Sequence, residues 1–125
     1  MISQTDKLIK QIQSVLTPDL LKPEWKRIAK INGTPYCGHC YHATESLYWL
    51  LGGSKSNCKP MVVRHEGGTH WFLLTSLGKI LDVTGAQFYT KVPYELAKGC
   101  GFLTKHPSKR ARKVIERIRK NTLCM

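Results

Sequence analysis

"GTPYCGHCYHATESLYWLL", residues 33–51, brings two cysteines and two histidines to the entrance of a helix. Asn-Gly, Pro and Gly make "NGTPYCG" a loop. The run from about 39 to 51 is helical, and the glycines of "GGSKSNCKP" end it. Cys40, Ala43, Leu47, Leu50 and Leu51 recur at helical spacing and form the stripe expected to press on a sheet. Cys40 therefore stands in the first turn. There the helix dipole and the unpaired N–H groups are expected to lower its thiol pKa and to be able to hold an oxyanion. Cys37 lies a turn earlier, in the loop, without that placement. The competing role for Cys40 is that of a small buried residue in a tight helix–sheet contact.

A thiolate needs a base close in space. The chain offers His39, His42, His65, His70 and His106. Three strands follow the helix: "MVVRHE", "THWFLLT" and "KILDVT", separated by turns containing glycine. Strand alternation puts His70, Phe72 and Leu74 on one face, expected to pack on the Cys40 helix. The turn "TSLGK" carries one glycine, Gly78. A two-residue turn would force Leu77 to positive φ, so a three-residue loop, Ser76-Leu77-Gly78, fits better. It pairs Thr75 with Lys79, Phe72 with Asp82 and His70 with Thr84. Asp82 then shares a face with His70 as a diagonal neighbour, roughly 7–8 Å away at the backbone. The competing role for Asp82 is to cap the turn "DVTG".

Elsewhere, "SQTDKLIKQIQSVL" reads as a helix capped by Ser3, with Leu8, Ile9, Ile12, Val15 and Leu16 on one stripe. Thr17 and Pro18 restart the chain, Pro23 interrupts that turn, and "WKRIAKI" reads as another short helix. "VPYELAKG" is a helical turn. The last helix starts near Ser108 and carries Ala111, Val114, Ile115 and Ile118 at helical spacing. The expected class is α+β in one domain, residues 1–125. It has a helical part at 1–32, a Cys-His-Asp core at 33–92, and a short helix with a basic helix at 93–125.

The 125 residues carry a net charge of +12. Between Lys105 and Lys120, eight Lys or Arg stand against one acidic residue, Glu116, so this segment supplies +7. Such a helix is either a solvated face or a surface for phosphates, nucleic acid or an acidic protein. Its candidate anion-binding residues are Lys109, Arg110, Arg112, Lys113 and Arg117. "MISQTDKLIKQIQ" lacks an apolar signal core and no stretch is apolar enough to span a bilayer. Five cysteines, an odd number, argue for reduced thiols and a cytoplasmic setting.

The order "GxC" at a helix start, then "HW" in a strand, then "LDVT" at a strand end resembles the transglutaminase-like branch of the papain-like cysteine hydrolases. That resemblance spans residues 38 to about 84. It implies a hydrolase or acyltransferase acting on an amide or ester, with Cys40 as nucleophile, His70 as base and Asp82 orienting the imidazole. It implies no cofactor. The whole chain also resembles small proteins of tailed-phage genomes, through "GHCYHATESLYWLLGG", "HEGGTHWFLL" and "GCGFLTKHPSKRA". This implies the cytoplasm of an infected bacterium as the setting.

Two rival readings stay open. One keeps the fold without chemistry, as a phage-encoded binding protein whose basic face takes nucleic acid, a nucleotide or an acidic host protein. The other is a zinc module, in which Cys37, Cys40, His65 and His70 have the end-to-end spacings of a Cys2His2 site. A redox CxxC pair is disfavoured, since no strand leads into it. "GGSKS" follows a helix instead of opening one, so it is a helix stop and not a phosphate loop. Tyr36, Tyr41, Tyr48, Trp49, Trp71, Phe88 and Tyr89 are candidates for a cleft or for the core and its rim.

Overall fold

A computed structural model describes residues 3–32 and 38–123. Ser3 accepts the Asp6 N–H at 3.1 Å and opens α1, Gln4–Val15. A short 3-10 turn, Pro18–Leu20, leads to α2, Pro23–Asn32, which Pro23 starts. Helix α3 is Cys40–Leu50 and helix α4 is Lys109–Leu123. Strands β1 (Lys59–His65), β2 (Gly68–Leu74), β3 (Ile80–Leu81) and β4 (Lys98–Gly99) form an antiparallel sheet in the order β3-β2-β1-β4. The class is α+β, as the residue pattern predicts. No helix among the described residues is long and apolar enough to cross a membrane.

The hairpin turns explain the register. His65 pairs with Gly68 across Glu66 and Gly67, both at positive φ (47° and 82°), a two-residue turn matched to the strand twist. Between β2 and β3 the predicted three-residue loop is present. The Thr75 N–H donates to the Lys79 carbonyl at 2.9 Å, and Gly78 sits at φ 84°. Leu73 pairs with Leu81, so Phe72 stands opposite Asp82 as expected.

Strand β3 ends after two residues. From Thr69 to Trp71, β2 therefore has β1 on one edge and no strand on the other. The first turn of α3 occupies that open edge. Thr44 Oγ1 donates to the Trp71 carbonyl at 3.0 Å, and Cys40 Sγ lies 3.6 Å from the Thr69 carbonyl.

The face assignment differs from the expectation. Leu73, Leu81 and Val83 join Ala43, Leu47, Ile12, Val114 and Ile118 in the main core, so α1, α3 and α4 cover that face. The His70–Phe72 face packs instead against the segment after β3, where Val63, Phe72 and Val92 form a second cluster with Phe88 and Tyr94 beside it. Both faces of "HWFLL" are apolar, so alternation alone cannot say which one the helix takes.

Helix α3 is buried nearly all round, and its polar residues are paired inside. Glu45, fully buried, accepts from the Ser108 N–H at 2.9 Å and the Ser108 hydroxyl at 2.6 Å, which fixes the start of α4. Arg117 reaches the Val15 carbonyl, Thr17 and Asp19, tying α4 to the end of α1. Replacing Glu45 by Ala leaves the Ser108 donors unpaired, and this is expected to lower stability by about 1–3 kcal/mol in denaturant titration. Glu116→Ala, which removes only the exposed pair with Lys120, is expected to cost less than about 0.5 kcal/mol.

Candidate active site

Cys40 owes its position to Gly38. This glycine has φ 84°, and a Cβ there would sit 3.1 Å from Leu21 and 3.2 Å from Trp25. A side chain is thus excluded by both backbone strain and space. The chain can then turn through His39 into α3, whose first internal bond runs from the Ala43 N–H to the His39 carbonyl. The N–H groups of Cys40, Tyr41 and His42 are left over at the helix start.

His70 and Asp82 meet as the register requires. His70 Nε2 lies 2.7 Å from Asp82 Oδ2, with both side chains buried. A carboxylate only accepts, so Nε2 carries the proton of this bond. Nδ1 is buried and, among the described residues, has no hydrogen-bond partner. The Tyr94 hydroxyl donates to the same Oδ2 at 2.7 Å. Burial, and then the carboxylate it serves, push the Tyr94 hydroxyl well above the usual phenol range, so it stays a donor. Gly85 makes room for this cluster: a Cβ on it would stand 2.8 Å from Asp82 Oδ2 and 3.2 Å from the Tyr94 hydroxyl. Asp82 thus serves His70 and Tyr94 rather than capping its own turn.

The Cys40 thiol is pushed up to about 11, opposite to the direction expected from a helix start. Burial is the largest cause. The N–H of Trp71 opposes it, the charge of Asp82 adds to it, and the N–H groups of Tyr41 and Cys40 oppose it. The Cys40 thiol is therefore protonated at rest. The cysteine lines a cleft of about 430 Å³. Tyr41, Trp71, Phe88 and Tyr89 wall it, four of the aromatic residues predicted for that role; Tyr36 lies outside the described residues. Glu66 holds the far wall by accepting from the Tyr89 and Thr90 N–H groups and the Thr90 hydroxyl. Phe88 packs edge-on against both His65 and His70, at 4.8 and 4.7 Å.

The other candidates are dispersed. Cys37 lies outside the described residues. His65 Nε2 is taken by the Thr90 carbonyl and hydroxyl, and His70 Nε2 by Asp82. Among the described residues, no group of three or more His, Cys, Asp or Glu is placed to hold a metal ion. Lys109, Arg110, Arg112 and Lys113 lie exposed on α4, whereas Arg117 is engaged with Asp19. Tyr94, Gly85 and the pair His39–His42 escape the residue pattern. Their signal is spatial, since Tyr94 stands 12 residues beyond Asp82 in a helical turn of no marked chemistry.

His39 and His42 form a buried pair, with Nδ1 of the first 2.7 Å from Nε2 of the second. Burial lowers His39 to about 4, against a small raising effect of Asp19. Burial, then His39 and Arg110, lower His42 to about 3. Both rings are neutral when folded, but in the unfolded chain they titrate near 6.5. As pH falls from about 6.5 toward 4, the unfolded chain takes up protons that the folded one refuses, and stability is lost. The melting temperature is expected to fall steadily over that window, with a shallower slope in His42→Gln.

Comparison with family models, with curated proteins and with solved structures finds no match to this chain.

Proposed function

We propose that this protein is a cysteine-dependent acyl hydrolase or acyltransferase acting on an amide or ester. The observation that carries the reading is the buried His70–Asp82 bond, which leaves His70 Nδ1 free as a base next to the strand edge where α3 begins at Cys40. The transglutaminase-like resemblance points the same way.

In this reading the Cys40 sulfur attacks the substrate carbonyl as its proton passes to His70 Nδ1. A pre-formed thiolate is not required, which suits a thiol held near 11. Asp82 accepts the Nε2–H bond and stabilises the imidazolium, and Tyr94 keeps the carboxylate in place. The oxyanion takes up the free N–H groups at the start of α3. On collapse, the leaving amine or alcohol takes the proton from His70 and a thioester on Cys40 remains. Water, or an acceptor amine, then attacks that thioester with His70 again as base, which frees the thiol. The setting this reading assumes is a bacterial cytoplasm, with Lys109, Arg110, Arg112 and Lys113 available to an acidic partner.

A second reading drops the chemistry and keeps a binding protein for nucleic acid, a nucleotide or an acidic host protein. The raised thiol and the exposed cations of α4 favour it. A p-nitrophenyl ester decides between them. The hydrolase reading expects an acyl adduct on Cys40 by peptide mass spectrometry at neutral pH. The adduct is absent in Cys40→Ala and forms on the order of 10²–10⁴ more slowly in His70→Ala. Exposed Cys100 serves as the internal reference. Acylation of Cys40 no faster than of Cys100 refutes the hydrolase and leaves the binder.

A further inference from the structure

A second depression, of about 340 Å³, adjoins the Cys40 cleft. Trp25, Gly38 and Tyr41 line both, so the two spaces adjoin at these residues. Leu20, Leu21, Trp25 and Leu103 give the second depression apolar walls. Trp25 is 39% exposed and Leu103 86% exposed, large apolar surface left uncovered at the mouth.

The polar lining is one-signed. Lys22 and Arg110 line this pocket, and no carboxylate among the described residues does. Among the described residues neither cation has an ion pair or a hydrogen bond. A neighbouring groove shares Leu20 and Arg110 and adds Lys109 and Lys113. Its one acidic residue, Asp19, is already held by Arg117 and Thr17. A largely apolar pocket that adjoins the Cys40 cleft and carries two cations without an ion pair among the described residues is complementary to a chain with an apolar stem and an anionic end.

We propose that this pocket is the acyl-chain subsite of the Cys40 site, and that the chain ends in a carboxylate or phosphate held by Lys22 and Arg110. The proposal rests on the hydrolase reading for its substrate and on Lys22, Arg110 and the apolar walls for its specificity.

The test compares acylation of Cys40 by the mono-p-nitrophenyl ester of adipic acid with acylation by p-nitrophenyl hexanoate, a chain of equal length without the charge. The adipate ester is expected to react about tenfold faster at low salt, with the preference shrinking as ionic strength rises to about 0.5 M. In Lys22→Ala/Arg110→Ala the ratio is expected to fall to about one, while Arg119→Ala keeps it. A parallel titration with hexyl phosphate, which cannot acylate, follows the Trp25 and Leu103 resonances by NMR. Equal acylation by the two esters, with no shift of those resonances, overturns the subsite and leaves the hydrolase intact. Saturable shifts lost in the double variant, without acylation by either ester, establish the anion site and refute the hydrolase. Absence of both effects overturns both.

Discussion

The early end of β3 governs the arrangement of this molecule. A strand continued past Leu81 would pair with Thr69–Trp71 and close the edge of β2. Because it stops, that edge is left with polar backbone groups, and burying them unpaired would cost about 1–3 kcal/mol each. The first turn of α3 meets this demand with the Thr44 hydroxyl and the Cys40 thiol. The same contact places the cysteine against the peptide groups that flank His70. One unmet hydrogen-bonding requirement thus anchors the helix and locates Cys40.

Helix α3 carries an unusual load for a central element. His42, Thr44, Glu45 and Ser46 are all buried in it. Polar groups are kept in such places only when each finds a partner. Thr44 finds the sheet edge, Ser46 the His42 carbonyl at 2.6 Å, Glu45 the start of α4, and His42 the ring of His39. These bonds are directional, so they orient α3 toward the sheet and toward α4 more narrowly than Ala43 and Leu47 would alone.

Turn chemistry carried much of this into the sequence. Gly78 is the only residue of its turn that takes positive φ cheaply, and from that position the register, the pairing of Phe72 with Asp82 and the shared face with His70 all follow. The α+β class and the helix starts at Ser3 and Ser108 were legible through capping and periodicity. The sheet face taken by α3 was not, because Trp71 and Leu73 are as apolar as Phe72 and Leu74. Nor was the state of the thiol. A helix start announces itself in residue order, but the degree of desolvation depends on how the rest of the chain packs around the thiol. Tyr94 was hidden for a related reason: a second donor to a carboxylate can arrive from any distance along the chain.

The protonated state of Cys40 has a consequence for the protein's life under oxidative stress. Peroxide attacks thiolates, and a thiol near 11 presents almost none at neutral pH. Held protonated, this cysteine is a poor target for peroxide at neutral pH. Cys100, exposed at the surface, meets oxidants with no such protection. The burial that raises the Cys40 thiol also shields it, so the first sulfenic acids on this protein are expected away from the cleft.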